Sequence, residues 1–240
     1  MKHSDVLVII PCYNEESNIE RVIHRLTETC PDVDYLVVND CSTDHSEEIL
    51  RKNHFNYVNL PVNLGIGGGV QTGYQYARDN GYKIAVQMDG DGQHSPDYLE
   101  KVIAPVRSGE ADQCIGSRFL EKEGFQSSAL RRFGINFLSA LIYLLSGVKV
   151  HDVTSGFRAT GPELTAFFAE HYAPDYPEPE AILTASLAGF KIQEVPVIME
   201  ERLGGVSSIR SFKSAYYMIK VSIALVIDRM SHSRKGGKRA

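Results

Sequence analysis

Several features that mark other classes of protein are missing from this 240-residue sequence. Its four cysteines are scattered, with neither a CxxC motif nor the spacing of a zinc site. No segment reaches the ~20 apolar residues that a membrane span needs. The polar N-terminus and the short apolar run at 6–10 do not predict a signal peptide. We therefore expect a cytoplasmic protein with reduced thiols.

An excess of positive charge is also missing. The formal net charge is −5 at pH 7, which argues against a nucleic-acid-binding protein. The charge is uneven, because the residues from Asp228 onward carry a net +4 and leave −9 on the rest. A basic tail on an acidic body suits an anionic partner such as a membrane surface. A solvated tail that aids solubility explains the charges equally well.

Strands and helices alternate over the first half of the chain. Short apolar runs predict strands at 5–10, 35–38, 57–60, 84–88 and 113–116. Helices are predicted at 17–29, 44–52 and 67–80, and Ser95 is expected to cap another. This order predicts an α/β fold with a mostly parallel, Rossmann-like sheet and helices on both faces. Such sheets bind ligands beyond the carboxyl ends of their strands.

The second half is less regular. Helices are predicted at 129–146, 179–188 and 211–230, and a strand at 191–197, where Pro196 indicates an edge position. We assign residues 1–210 to the main domain and residues 211–240 to an apolar C-terminal helix with a basic tail.

The C-terminal helix is too short to cross a bilayer. Its apolar part, 215–227, reaches only about 20 Å at ~1.5 Å per residue, short of a hydrocarbon core of ~30 Å. We expect it to dock on a membrane surface, with the basic residues that follow it near anionic headgroups. Packing on the body, a seam between two copies of the chain, and a small membrane-protein partner are the alternatives.

The motif Asp-Gly-Asp-Gly-Gln-His at 89–94 is the most informative. It follows an apolar strand, so both carboxylates lie at the carboxyl end of the predicted sheet. Oxygen ligands without cysteine suit Mg²⁺ or Mn²⁺, and such a cation neutralises a diphosphate as it leaves. A solvated Asp-Gly turn is the alternative, which the position at a strand end disfavours.

Polar motifs also follow the first two predicted strands. Glu15, within 11–16, is placed to bind a ribose or a base. Asp40, within 39–44, is placed to accept a hydrogen bond from the imino N–H of uracil or guanine. Capping of the following helix is the alternative for each, and it is the preferred interpretation for Asp44.

A glycine-rich motif, Asn-Leu-Gly-Ile-Gly-Gly-Gly at 63–69, leads into the third predicted helix. Its backbone N–H groups, including that of Gly67, are expected to meet a phosphate. The motif is neither GxGxxG nor a Walker A sequence. A dinucleotide oxidoreductase is therefore disfavoured.

These motifs, with Gly-Ser-Arg-Phe at 116–119 and Thr-Ser-Gly-Phe-Arg at 154–158, resemble in order and spacing those of the family 2 glycosyltransferases of GT-A fold. The resemblance covers about residues 5–205 and is strongest to the branch of dolichol-phosphate mannosyltransferases and polyprenyl-phosphate glycosyltransferases. It implies an inverting enzyme that moves a hexose from a UDP- or GDP-sugar to a lipid phosphate. Two departures are Gly90, where relatives often have Ala, and the absence of the C-terminal transmembrane helices that many relatives have.

The resemblance also implies roles for individual residues. The nucleoside pocket would be lined by Pro11, Tyr13, Glu15 and Asp40. The metal and the donor diphosphate would be held by Asp89, Asp91 and Gln93. Phosphates of acceptor or donor would be contacted by Arg118 and Arg202.

Further arginines are expected on the substrate side. Arginine binds phosphate through a bidentate fork, and Arg158 ends one of the motifs of the resemblance. Arg131 and Arg132 open a predicted helix, where cations oppose the helix dipole. At least one of these two is therefore expected to hold a ligand.

The acceptor decides whether a base is needed. A hydroxyl must lose its proton to a base, whereas a phosphate is already anionic and needs mainly cationic positioning. Asp152 is the candidate base or acceptor-orienting group, with a loop cap as the alternative. Glu178 and Glu180 are the runners-up.

Other functions stay open. The runner-up adds a sugar to a hydroxyl of a surface polysaccharide or of a lipid-linked saccharide. A nucleotidyltransferase also uses paired carboxylates and a metal, but it needs a loop rich in Gly and Lys or Arg where this chain has Asn-Glu-Glu at 14–16. An inactive nucleotide-sugar-binding subunit is disfavoured by the intact acidic motif. The main hypothesis places the protein at the inner face of the cell membrane.

Overall fold

The computed structural model describes residues 2–121, 129–200 and 211–236. Those residues form one sheet of seven strands, β1 (Val6–Cys12), β2 (Asp34–Asn39), β3 (Tyr57–Asn59), β4 (Ile84–Gln87), β5 (Gln113–Ser117), β6 (Arg158–Thr160) and β7 (Ile192–Pro196). The helices are α1 (Ile19–Thr29), α2 (Ser46–Lys52), α3 (Gly65–Asp79), α4 (Leu99–Arg107), α5 (Ala129–Ser146), α6 (Pro162–Glu170), α7 (Pro177–Leu187) and α8 (Ser211–Gly236).

The strands lie in the order β3-β2-β1-β4-β6-β5-β7 across the sheet. Every neighbouring pair is parallel except the two that involve β6, which runs antiparallel to β4 and β5. The mostly parallel sheet and the edge position of the strand that contains Pro196 are thus confirmed. The sequence patterns do not predict β6, because its three residues are all buried and too few to show a period.

The order of the strands reverses between β1 and β4. From β1 the chain adds β2 and β3 on one side, and then places β4 on the other. Open α/β sheets bind ligands in the crevice beyond the carboxyl ends of the strands at such a point. The polar motifs that follow β1, β2 and β4 all lie at this edge of the sheet.

Side chains of β1 point alternately into two apolar layers. Val8 and Ile10 pack with α1 and α4, whereas Leu7 and Ile9 pack with α3, α6 and α7. The expected helices on both faces are therefore present. α3 approaches the sheet closely because residue 73 is glycine, and a Cβ there would lie 2.2 Å from Cγ2 of Ile9.

The C-terminal helix packs on the body of the protein. α8 contacts α5 and α7, and its buried Val221 and Leu225 join Leu138 and Ile142 of α5 in a third apolar cluster. The division of the chain at residue 210 stays a prediction. No helix in the described ranges has both the length and the apolar character needed to cross a membrane.

The outward faces of α5 and α8 carry exposed apolar residues at helical spacing. We call this surface the α5–α8 stripe. It consists of Phe133, Phe137 and Leu144 on α5, and of Ile219, Ile223 and Ile227 on α8. The apolar pattern of the sequence does not reveal the α5 half of this stripe.

Glu180, in the first turn of α7, has an altered acidity. Burial, together with the nearby carboxylates of Asp228 and Asp175, raises the pKa of its carboxyl to about 7. A carboxyl whose pKa rises on folding stabilises the fold fully below its unfolded value of 4.5 and loses this contribution as the pH rises through about 7.

We expect Glu180→Gln to remove this pH dependence. The Tm of the variant minus that of the wild type should increase steadily between pH 4.5 and about 7. At higher pH this difference should be constant. Thermal unfolding across this range measures the effect. Glu163→Gln is the matched control, because Glu163 is exposed in the first turn of α6. A pH-independent difference for Glu180→Gln would contradict the prediction.

Candidate active site

The turn at 89–94 follows β4 and is closed by its own hydrogen bonds. The backbone N–H of Asp89 donates to Nδ1 of His94 at 3.0 Å, and that of Gln93 donates to Oδ1 of Asp91 at 3.0 Å. Gly92 adopts a φ of 80°, a conformation that favours glycine. The imidazole of His94 is buried and stacks on Phe157 with 5.1 Å between ring centroids. The two aspartates therefore stand on a rigid turn.

Two close backbone approaches position this turn. A Cβ on Gly156 would lie 2.6 Å and 2.7 Å from the carboxylate oxygens of Asp89. A Cβ on Gly90 would lie 3.0 Å from the carbonyl oxygen of Pro11. The motif at 154–158 therefore packs directly on the first aspartate, and the glycine at position 90 avoids a tight contact with the end of β1.

The donor set at the turn fits a hard divalent cation. Asp89, Asp91 and Gln93 offer carboxylate and amide oxygens for coordination, since the amide nitrogen of Gln93 is a hydrogen-bond donor. Within the ranges that the structure describes, no group of three or more His, Cys, Asp or Glu side chains could hold a metal ion by itself. One or two carboxylates completed by substrate phosphates are typical of Mg²⁺. The assignment of these three residues as ligands stays a prediction, and the residues present are compatible with it.

The residues predicted for the nucleoside lie at the ends of β1 and β2. Pro11 is buried within β1, and Tyr13 just beyond it is 48% exposed. Glu15 accepts a hydrogen bond from Nδ2 of Asn18 at 2.9 Å. Asp40 is buried, and its Oδ1 accepts the backbone N–H of Leu64 at 2.7 Å. One oxygen of Asp40 thus joins the end of β2 to the start of α3, and the nucleoside role of these residues stays a prediction.

Asp44 bonds to the start of α2, as the sequence favours, although the N-cap position itself is occupied by His45. Its Oδ1 accepts the backbone N–H of Ser46, the first residue of α2, at 2.9 Å. Its Oδ2 accepts the backbone N–H of Glu16 at 3.1 Å. Asp44 therefore also joins the segments that follow β1 and β2.

Asp152 and Arg118 are paired with each other, which changes the interpretation of both. Asp152 is fully buried, and its two oxygens accept Nε and Nη2 of Arg118, each at 2.7 Å. It also accepts the backbone N–H of Arg118 at 3.1 Å. Because its carboxylate is enclosed and occupied, the structure does not support Asp152 as a base. Arg118 likewise directs Nε and Nη2 at this carboxylate, and its predicted contact with a phosphate stays a prediction.

Glu194 on β7 holds the segment around Asp152 through hydrogen bonds. Its carboxylate accepts the backbone N–H of His151 at 2.7 Å and that of Asp152 at 2.8 Å. Nδ1 of His151 lies 2.8 Å from it. Glu194 and the Arg118–Asp152 pair therefore hold the loop that leads to Gly156, and through it the carboxylate of Asp89. The available signal in the sequence was an acidic residue inside a predicted strand.

Arg158 and Gly67 also have structural roles. Arg158 is fully buried on β6, and its guanidinium donates to the carbonyl oxygens of Ser155 at 3.0 Å and Glu178 at 3.1 Å. The backbone N–H of Gly67 donates to the carbonyl of Pro174 at 3.3 Å. A Cβ there would lie 2.0 Å from the carbonyl oxygen of Ala173. The predictions that these two residues bind substrate are therefore not supported.

Glu178, at the start of α7, is near the acidic turn. Burial raises the pKa of its carboxyl, while the nearby charge of Arg158 lowers it and that of Asp89 raises it. Glu180, the other runner-up, is influenced instead by Asp228 and Asp175. Only Glu178 of the two is thus in electrostatic contact with the site.

The remaining arginines differ in what the structure shows. Arg131 is exposed in the first turn of α5. The guanidinium of Arg132 lies over the ring of Phe119, 3.8 Å from its centroid, and that of Arg118 lies 5.1 Å from the same centroid. Arg202 lies outside the described residues. The start of α5 is thereby tied to the Arg118–Asp152 pair.

Comparisons with known proteins agree with this geometry. A family model described as Glycosyl transferase family 2 matches residues 7–164. Polyprenol monophosphomannose synthase of Mycolicibacterium smegmatis is 30% identical, with 95% of this chain and 89% of that protein covered. The UDP-N-acetylglucosamine–dolichyl-phosphate N-acetylglucosaminyltransferase of Methanococcus voltae is 31% identical, with 93% and 98% covered.

A solved structure supports the fold. Glucosyl-3-phosphoglycerate synthase from Mycobacterium tuberculosis, in complex with Mn²⁺, uridine diphosphate and glucosyl-3-phosphoglycerate, matches with a TM-score of 0.69 at 22% identity. The match covers 93% of this chain and 79% of that one. The predicted fold is confirmed, and at this identity the likeness concerns the fold alone.

We expect Gly156→Ala to displace the carboxylate of Asp89, because the added Cβ would overlap both of its oxygens. Binding of Mn²⁺, followed by calorimetry, should weaken about 10- to 100-fold, as when a residue that orients a metal ligand is lost. Gly161→Ala is the matched control, since a Cβ there meets nothing closer than 3.5 Å. Equal Mn²⁺ affinities for the two variants would show that Asp89 does not depend on this contact.

Proposed function

The chain belongs to glycosyl transferase family 2, and we propose that it moves a hexose from a nucleoside-diphosphate sugar to a polyprenyl phosphate. The transfer inverts the anomeric carbon and depends on Mg²⁺ or Mn²⁺. An oxygen of the acceptor phosphate attacks the anomeric carbon as its bond to the diphosphate oxygen breaks. The bonding electrons leave with the nucleoside diphosphate.

The observation that carries the proposal is what two relatives share. Both are at least 30% identical to this chain over more than 90% of its length. Their names join a sugar to a polyprenyl or dolichyl phosphate, yet one sugar is mannose and the other is N-acetylglucosamine. The relatives therefore support a lipid-phosphate acceptor and leave the donor sugar undecided.

The acidic turn supports the metal dependence. Asp89, Asp91 and Gln93 would hold the cation at the carboxyl edge of β4, where a donor diphosphate is expected. The bound cation would neutralise the charge that develops on the leaving diphosphate. The solved neighbour of the same fold contains Mn²⁺ and uridine diphosphate. The exposed ring of Tyr13 offers a surface for the base, beside Glu15 and Asp40.

The buried state of Asp152 agrees with an anionic acceptor. A phosphate oxygen is already a nucleophile, so the reaction needs positioning more than proton transfer. Since Arg118 occupies the carboxylate of Asp152, the proposed role of the pair is to hold the loop that leads to Gly156 and so to position Asp89. Contact with the acceptor phosphate is then expected from Arg131, which is exposed at the start of α5, and from Arg202.

The α5–α8 stripe supports a peripheral place on the inner face of the membrane. Its apolar side chains lie on two neighbouring helices and face solvent. A helix with one exposed apolar face and a basic end binds in the plane of an anionic membrane surface. Such docking would bring the enzyme to an acceptor whose hydrocarbon part stays in the bilayer.

We expect Asp91→Ala to lower transfer at least about 100-fold, because several kcal/mol of charge stabilisation are lost with the cation. The assay pairs purified protein with UDP-glucose, UDP-N-acetylglucosamine or GDP-mannose, with and without polyprenyl phosphate. Asp32→Ala, which removes an exposed aspartate in the loop before β2, is the control. Normal turnover of Asp91→Ala in excess EDTA would contradict the metal assignment.

The same assay distinguishes the two classes of acceptor. Transfer to a saccharide hydroxyl but not to polyprenyl phosphate would favour the alternative acceptor.

Membrane docking predicts a loss of liposome binding when the stripe is made polar. We expect Ile223→Gln with Ile227→Gln to reduce flotation of the full chain on anionic liposomes several-fold, because buried apolar area is lost. Both side chains are exposed, so the third apolar cluster stays intact. Val62→Gln changes an equally exposed residue in the loop after β3 and serves as the control. Unchanged flotation, together with dissociation of a dimer in light scattering, would make the stripe a contact between two copies.

A further inference from the structure

Arg25 on α1 makes a three-way contact that none of the motifs indicates. Its Nη1 donates to Oε1 of Glu200 at 2.6 Å. Its Nη2 donates to Oγ of Ser95 at 2.9 Å and to Oδ2 of Asp97 at 3.1 Å. These acceptors belong to two segments that are about a hundred residues apart in the chain. One guanidinium therefore joins α1 to both of them.

The two segments are those that flank the acidic turn. Ser95 follows Gln93 by two positions, and Gln93 and Glu200 are themselves bonded through their backbones. The N–H of Glu200 donates to the carbonyl of Gln93 at 2.9 Å, and Nε2 of Gln93 donates to the carbonyl of Glu200 at 3.4 Å. His94 forms an antiparallel bridge with Met199. Residues 93–94 and 199–200 thus form a short ladder next to Asp91.

Arg25 closes this ladder from the side of α1. A ladder of two residues has few bonds of its own. An arginine fork that reaches Glu200 in one strand, and Ser95 and Asp97 just beyond the other, restricts how the two strands move relative to each other. Ser95 and Asp97 are linked in turn, since Oγ of Ser95 donates to Asp97 at 2.6 Å. We propose that Arg25 is a positioning residue that holds the acidic turn in its cation-binding geometry. The inference rests on the proposed function to the extent that this turn binds the cation.

A plain surface ion pair is the competing explanation. Arg25, Glu200 and Asp97 are all partly exposed, and exposed pairs contribute little to stability. The two explanations differ in what they predict for the site. A surface pair leaves cation binding untouched, whereas a positioning residue changes cation binding more than it changes Tm.

The test measures Mn²⁺ binding by electron paramagnetic resonance, which detects free Mn²⁺ directly and needs no acceptor. UDP or GDP is added, whichever strengthens binding to the wild-type chain. We expect Arg25→Met to weaken binding about 10- to 100-fold, as for other residues that orient metal ligands, with a nearly unchanged Tm. Arg25→Lys should fall between Arg25→Met and the wild type, because one ammonium cannot span the three acceptors.

Arg78→Met is the matched control. Arg78 is as exposed as Arg25, at 36% against 37%, and pairs with Asp79 and Glu170 away from the turn. Its variant should bind Mn²⁺ like the wild type. Wild-type affinity in Arg25→Met, or in Arg25→Lys if the methionine variant does not fold, overturns the inference. So does a loss of the same size in Arg78→Met.

Asp91→Ala in the same assay separates this inference from the proposed function. If Asp91→Ala loses Mn²⁺ binding and Arg25→Met does not, only the role of Arg25 fails. If neither variant loses it, the cation site itself is wrong and both fail. The Mn²⁺-binding assay contains no acceptor. If the proposed class of acceptor is wrong, the result on Arg25 is therefore still valid.

Discussion

The carboxylate of Asp89 has room only because residue 156 lacks a side chain. This contact joins two motifs that are distant in sequence, and several buried side chains around residues 151–156 maintain it. The loop that carries Gly156 is held by Glu194 and by the Arg118–Asp152 pair. A buried ion pair adds little net stability over apolar packing, but its loss leaves an unpaired charge. We interpret the pair as a device that fixes geometry.

The sequence predicts well whatever depends on local pattern. The strands at the centre of the sheet and the position of the acidic turn follow from apolar runs and from the rule that parallel strands end at one edge. The sequence predicts poorly whatever depends on a distant partner. Asp152 was the candidate base or acceptor-orienting group, and Arg158 and Gly67 were assigned to substrate. The polar groups of these three residues contact Arg118, Ser155 and Pro174. No spacing in the sequence reveals those contacts.

The arginines show why composition misleads here. A guanidinium fork fits a carboxylate and a phosphate equally well, so the number of arginines does not reveal which of them meet substrate. The guanidinium of Arg118 donates to the carboxylate of Asp152, and that of Arg158 donates to backbone carbonyls. Burial separates the two uses, because a guanidinium enclosed with its partner is not presented to an incoming phosphate. Exposure directs attention to Arg131 instead.

α5 connects the site to the surface proposed for the membrane. Near its start, Arg132 stacks on Phe119, which also neighbours the Arg118–Asp152 pair. From there the helix carries Phe133, Phe137 and Leu144 along one exposed face. At ~1.5 Å per residue, the first and last of these are about 16 Å apart. A lipid phosphate has the same division, with a charged end and a long apolar part. On the proposed function, α5 would therefore present cations to the phosphate of the lipid and an apolar face to the bilayer that holds the hydrocarbon part of the lipid.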